Sequence, residues 1–399
     1  MGIDMRKLVT IRQIKAIKEI PGADKIELAI IDGWQVVVKK DTFIRGDYCL
    51  YFELDSWVPV TIAPFLVKDK EPKKYYGIPG IRLTTIKLRG QISQGLALPI
   101  GDVFNHGSDY YINPSGHLGE DLSSVLGVIK YEGPELTSKK NSYTTRTPTG
   151  VRYPFPSIIP KTDQERIQNL DISDILDKGA YAGNVFEVTE KLEGTSCTIY
   201  LDEENNLKVC SRNHLLPDSG SGTIYGMIAD KYGFRDKLRK YTILDRLKER
   251  ITRKPLPRFP RKEGYYGYAF QGEIVGPKLQ GNIYKLQEPE FFIYDIFDFY
   301  NAKYLTPTEC RRACHELGLQ HVPVIDNAYV LNRRDMTDDT FRDALIRKAD
   351  GKTLIGNNHD QNREGLVFKI DPGEIEPLSG YNRVSFKVIS NEYLLTTKV

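Results

Sequence analysis

The sequence predicts an all-β domain, a small barrel or sandwich, followed by a mixed α+β domain. Three observations carry that prediction. From Arg6 to about Ile100 short strand-like runs are separated by turn signals. Residues 131–160 are rich in Pro, Gly, Ser and Thr and have no sustained apolar period, and beyond them strand-like runs alternate with helical patterns. The 399 residues allow two or three domains, and a hydrophobic content of 40% is enough to bury a core, which excludes a disordered or fibrous protein.

In the first domain the runs KIELAII and WQVVVKK flank Asp32-Gly33, a turn signal. Arg45-Gly46-Asp47 and Pro79-Gly80 mark further turns. The expected domains are 1–130 and 156–399, with 131–155 as the linker. In the second, FEVTE, SCTIYLD and LKVCS read as strands, the last two joined by a turn at 203–206. Residues 224–251 are helical in character. The stretches 265–274, 291–299, 365–370 and 384–388 read as strands, and 308–317 and 338–347 as helices. There is no internal repeat and no low-complexity tract.

Charge is nearly balanced, 56 basic residues against 53 acidic, so a net charge of +3 announces no partner. Locally it is not balanced. Residues 231–262 hold thirteen Lys or Arg against Asp236, Asp245 and Glu249. Such a run either neutralises several phosphates or forms a solvated helical face. Five sparse cysteines and the lack of an apolar leader point to a reducing, cytoplasmic location. The most apolar window, 57–67, is broken by Pro59 and Pro64, so no membrane partner is expected.

A lysine that takes up a nucleotide covalently needs a nucleophilic amine, a glycine that lets the ligand come close, and acids to hold a metal on the phosphates. The pattern Lys-x-x-Gly occurs six times, at Lys74, Lys87, Lys130, Lys191, Lys278 and Lys348. Lys348 opens the form nearest to Lys-x-Asp-Gly, but it closes a helical pattern with Gly351 placed as a C-cap, so it reads as a helix stop. Lys191 opens KLEGTS between FEVTE and SCTIYLD, which stands its side chain at a strand end over a pocket. It alone has ordered partners downstream: Ser211-Arg212-Asn213, Gly272-Glu273 with Gly276, Phe291-Phe292-Ile293-Tyr294-Asp295, Glu364-Gly365 with Lys369, and Ser385-Phe386-Lys387.

That series resembles motifs I, Ia, III, IIIa, IV and V of the covalent nucleotidyltransferase superfamily, which contains ATP-dependent RNA and DNA ligases and mRNA capping enzymes. Residues 161–169, KTDQERIQN, resemble the segment preceding motif I in RNA ligases. The stretches RKLVTIRQIKAIKEIPGADKIELAIIDGWQVVV, GDYCLYFELDSWVP and LRGQISQGLALP resemble the OB-fold module of RNA ligase family 5. The resemblance implies an N-terminal all-β OB-fold barrel followed by an α+β nucleotidyltransferase domain of the ligase type. It also implies an enzyme that uses ATP with Mg2+ or Mn2+ to seal 5′-phosphate and 3′-hydroxyl ends of RNA or an RNA-containing duplex, at nicks with an RNA 3′-hydroxyl strand. No obligate protein partner is implied.

The same resemblance assigns roles. Lys191 attacks the α-phosphate of ATP to give lysyl-AMP and pyrophosphate, its pKa lowered by neighbouring cations or metal. Glu193, Glu273 and Glu364 bind ribose or hold metal-bound waters, a role suited to carboxylates because magnesium keeps much of its hydration shell. Arg212 and Lys387 neutralise phosphates, Arg166 contacts AMP or the RNA 5′-phosphate, and Glu190 joins the nucleotide-binding group. Phe291 is placed on adenine, although Phe292 points the other way and a one-residue register shift exchanges them. Some RNA ligases carry Lys-x-Lys at motif V where this chain has Lys387-Val388-Ile389, so Lys369 is either the substitute phosphate ligand or a solvent-facing lysine.

Other readings fare worse. Only twelve residues follow Lys387, too few for the OB domain that follows motif V in DNA ligases and GTP-using capping enzymes. A non-catalytic RNA-binding relic predicts loss of Lys191, Glu273 or Glu364, and all are present. Cys310, Cys314, His315 and His321 can be drawn as a zinc site, but the cysteines share an amphipathic helical run and read as buried thiols. His106, His117, His214 and His359 fall in expected loops and carry no assignment.

Overall fold

A computed structural model describes residues 6–67, 71–104, 113–131, 153–162, 164–180, 185–238, 267–299, 301–333, 335–371 and 384–396. Most of the expected linker, most of the basic run (239–262), and His106 lie outside the described residues. The chain divides into two compact units, one N-terminal, up to residue 134 and with the last residues from Leu394, the other running from residue 135 to Tyr393.

The N-terminal unit is built on strand Val9–Glu19. A bulge between Ile14 and Ala16 bends it, so that its first half pairs with Tyr48–Phe52 and its second with Ile26–Ile31. Strands Trp34–Lys39 and Leu96–Pro99 complete a five-stranded sheet. Its open edges meet where the amide of Gln94 donates to Gln35 O at 2.9 Å and Val37 N donates to Ser93 Oγ at 3.0 Å. Alternation along the strands turns Ile11, Leu50, Phe52 and Val58 into one cluster, and Trp34, Val36 and Tyr51 into another. A second sheet of four short strands, in the order Ile129–Lys130, Ser56–Pro59, Ile78–Arg82, Lys73–Tyr75, belongs to the same unit. The expected turn at Asp32-Gly33 joins Ile26–Ile31 to Trp34–Lys39, with Asp32 at φ 50°.

The second unit holds two principal sheets. One contains the hairpin Thr195–Leu201 and Leu207–Ser211 together with Tyr268–Val275 and Glu290–Asp298. Its inner face, with Ile199, Val209, Phe270, Ile274 and Phe291, packs on helices Ile224–Lys231 and Pro307–Leu317. The other orders Glu165–Arg166, Ser385–Ile389, Gly365–Ile370, Val185–Lys191 and Val324–Val330. Phe186, Val188, Leu366, Phe368, Phe386 and Val388 bury one of its faces with helix Asp338–Ala349. By the two-residue period of a strand, the opposite face then carries Glu187, Lys191, Val367, Lys369, Ser385 and Lys387.

Among the described residues the expected strands and the helices expected at 308–317 and 338–347 are found within a few residues, residues 239–251 of the third helical stretch lie outside them, and Lys348 does sit in the last turn of its helix. The helical stretch expected from 224 is interrupted at Gly233 (φ 62°). All five cysteines are buried and free. Among the described residues no helix is long and apolar enough to cross a membrane.

Candidate active site

The sheets of the second unit turn their remaining faces toward each other, and the residues singled out by sequence are distributed over them. Strand pairing places each one. Lys191 ends its strand opposite Gly365, which puts Glu364 beside it; Lys191 Nζ donates to Glu364 Oε1 at 2.5 Å. On the other sheet Ser196 pairs with Glu273, and Glu273 with Phe292. Val367 pairs with Lys387 and Lys387 with Arg166, so these two cations sit side by side on the sheet that carries Lys191.

Gly194 allows the turn after Lys191. A Cβ there would lie 2.2 Å from Ile274 O and 2.8 Å from Val275 Cγ1. Gly365 is equally tight against its neighbour strand, with Val388 O 2.2 Å from a Cβ position. The glycines of both motifs are therefore demanded by backbone packing within the protein, before any ligand is considered.

Electrostatically the cluster is dominated by its acids. Burial pushes the Lys191 ammonium toward neutrality, but Glu364, Glu273 and Glu193 outweigh it and hold the pKa above the ordinary lysine value. Glu273 is pushed up to about 8, first by burial, with Lys191 and Arg212 pulling down and Glu364 and Glu193 pushing up. The charged groups that act on Lys191 are carboxylates, and they favour its ammonium form.

Three expectations are corrected. Phe291 does not face the site; it is 1% exposed in the inner core, edge-on to Phe234 at 5.9 Å, and Phe292 shares the face of Glu273. Lys369 is neither a solvent-facing lysine nor an available phosphate ligand. Its side chain is 3% exposed, and Nζ donates to Asp295 Oδ1 at 2.9 Å and to Tyr294 O. Glu190 is turned away from the nucleotide group: its carboxylate accepts from the Thr353 hydroxyl at 2.5 Å and from Leu354 N at 2.8 Å.

Several contributors escaped sequence reasoning. Tyr284 Oη accepts from the backbone N–H of Glu193 at 2.6 Å and so fixes the turn that carries it. Tyr294 Oη bonds Ser196 Oγ and Thr162 Oγ1, both at 3.0 Å, tying the segment before motif I to the site. Lys161 Nζ adds a bond to Asn213 Oδ1 at 3.1 Å. The two-residue period from Phe292 to Tyr294 was the available signal for the second of these; nothing local marks Tyr284.

Among the described residues no group of three or more His, Cys, Asp or Glu side chains stands close enough to hold a metal ion. The donor chemistry nevertheless fits a hydrated hard cation, which needs only one or two carboxylates when phosphates supply the rest. Arg212, a cation and so no metal ligand, lies on the exposed bend after Leu207–Ser211.

Comparison with known proteins places this geometry. An RNA ligase family model matches residues 184–389, and an OB-fold domain model matches residues 8–100. The chain is similar to Naegleria gruberi RNA ligase solved with PPi, at 34% identity over 98% of each chain and a TM-score of 0.72. It is also similar to mutants of that enzyme solved with ATP and Mn (34% identity, 97% of this chain and 98% of that one, TM-score 0.73) and with AMP and Mn (34% identity, 98% of each, TM-score 0.73). No curated protein matches the sequence.

Proposed function

This chain belongs to the RNA ligase family, and from that premise we propose how an ATP-dependent RNA ligase works through the residues gathered around Lys191. The observation that carries the reading is the Lys191–Glu364 contact of 2.5 Å, flanked by Glu273 and Glu193. Lys191 Nζ attacks the α-phosphorus of ATP. The N–P bond forms, the bond to pyrophosphate breaks, and one ammonium proton must leave before the attack. Glu193, Glu273 and Glu364 are the carboxylates that would hold Mg2+ or Mn2+, and the cation would offset carboxylate and phosphate charge. Arg212, Lys387 and Arg166 neutralise the phosphates, and Phe292, buried beside Leu192 and Tyr284 but on the face of Glu273, takes the place of Phe291 as the aromatic toward adenine. AMP then passes to an RNA 5′-phosphate, and a 3′-hydroxyl displaces it.

Residues 1–130 serve as the nucleic-acid grip, 131–155 as the linker and 156–399 as the adenylyltransferase. OB folds hold strands by charge and stacking with little sequence preference. The preferred substrate is a nick or break whose 3′-hydroxyl strand is RNA, sealed without an obligate protein partner. Nicked duplexes that differ only in the sugar of the 3′-hydroxyl strand test this. Sealing of the ribose form well above the deoxyribose form is expected, and equal sealing of both would refute the substrate assignment.

A further inference from the structure

We propose that the hairpin formed by Lys73–Tyr75 and Ile78–Arg82 in the N-terminal unit binds single-stranded RNA, with Tyr76 at its tip stacking on a base and Lys73 and Lys74, one on each face of the hairpin, on the backbone. The proposal rests on the RNA ligase reading and names a surface which that reading leaves open.

Strand pairing sets Trp57 opposite Arg82, Lys73 opposite Gly80 and Tyr75 opposite Ile78, all on one face, while Val58 on the other face enters the core. Gly80 lets Trp57 lie flat across the sheet, since a Cβ there would come within 2.6 Å of the indole nitrogen. Trp57 is covered by Tyr75 and Tyr131, with ring centroids 5.4 and 5.7 Å away, and Tyr75 meets Tyr76 in a T-shaped contact at 4.7 Å. A series of rings therefore climbs from buried Trp57, 3% exposed, to Tyr76, 81% exposed.

Tyr76 and Gly77 are the two central residues of a hairpin joining Lys73–Tyr75 to Ile78–Arg82, with φ of 47° and 81°. Both positions of such a turn require positive φ, and asparagine or aspartate meets the first with less strain than a bulky aromatic. The ring touches Tyr75 in a T-shaped contact at the tip of the hairpin and is otherwise open to water. Lys73 and Lys74 beside it are exposed, one on each face of the hairpin. An anchored, solvent-facing ring next to cations is the pairing that single strands exploit: every base has a face to stack, and every phosphate a charge to neutralise. An apolar protein partner would gain nothing from the flanking lysines.

The test uses the full chain, a fluorescent single-stranded oligoribonucleotide titrated by anisotropy at several salt concentrations, and adduct formation from α-labelled ATP in parallel. Tyr76→Asn suits the turn and should weaken RNA binding roughly tenfold. Tyr76→Phe keeps the ring and should bind as the parent does. Lys73→Gln with Lys74→Gln should flatten the log–log salt dependence by roughly 0.7 for each phosphate that is no longer neutralised. Adduct formation should stay at the parental level in every variant. Unchanged affinity in Tyr76→Asn together with an unchanged salt slope in the lysine variant would overturn the proposal and leave this hairpin to a protein partner. A parent chain that forms no adduct would refute the ligase reading instead, and the RNA titrations would still decide this surface.

Discussion

At the scale of single residues, the carboxylates around Lys191 favour its ammonium form over the free amine that attacks phosphorus. Glu364, Glu273 and Glu193 together outweigh burial at Lys191, so the first step should accelerate as pH rises and the ammonium is lost. Glu273, pushed up to about 8, acts in the same direction, since below that value it carries a proton that competes with a cation. A pH profile of single-turnover adduct formation should therefore climb through neutrality. Linkage gives a second outcome. A carboxyl with a raised pKa stabilises the fold below the ordinary carboxylate range, and that contribution is lost as pH rises through about 8. Glu273→Gln should then abolish adduct formation while raising Tm in mildly alkaline buffer, by roughly 2–4 °C for each 1 kcal/mol recovered; a lowered Tm would contradict it. The acids and Lys191 were legible because each occupies a fixed place in an ordered motif. Phe291 was misread because two adjacent aromatics on a strand are separated only by register, and register depends here on a bulge between Gln271 and Gly272. Lys369 was misread because its partner, Asp295, lies on the other sheet.

At the scale of elements, two glycines and one loop set the geometry. Gly194→Ala forces a methyl to within 2.2 Å of Ile274 O and should cost about 1–3 kcal/mol by denaturant unfolding, with adduct formation impaired further than that loss explains. The loop after helix Asp338–Ala349 clasps the nucleophile strand from behind. Thr353 and Leu354 bond Glu190, while Asn357 N donates to the carbonyl of Tyr284, whose hydroxyl holds Glu193 N. Thr353→Val removes a bond to a buried carboxylate and should cost about 1.5–3 kcal/mol; an unchanged midpoint would show that the loop is held by other contacts. Strands and helices were readable from period and caps, such as the Thr306–Glu309 capping box that opens helix Pro307–Leu317. The loop was not, because its value lies in contacts with Glu190 and Tyr284, both far away in sequence.

At the scale of the molecule, the barrel and the catalytic unit each carry their own hydrophobic clusters, which explains why the sequence could be divided before either was placed. Removing residues 1–130 should spare adduct formation and impair sealing, and full sealing by the shortened chain would contradict the assignment of the barrel to RNA. The central claim is that Lys191 carries AMP. Incubation of the intact protein with α-labelled ATP and Mg2+ or Mn2+, followed by denaturing electrophoresis, tests it most directly, with α-labelled GTP and Lys191→Ala in parallel lanes and a pyrophosphate pretreatment to strip any AMP already bound. Label from ATP alone, absent in Lys191→Ala, is the predicted result. Label retained by the alanine variant, or none on the parent after stripping, would contradict it.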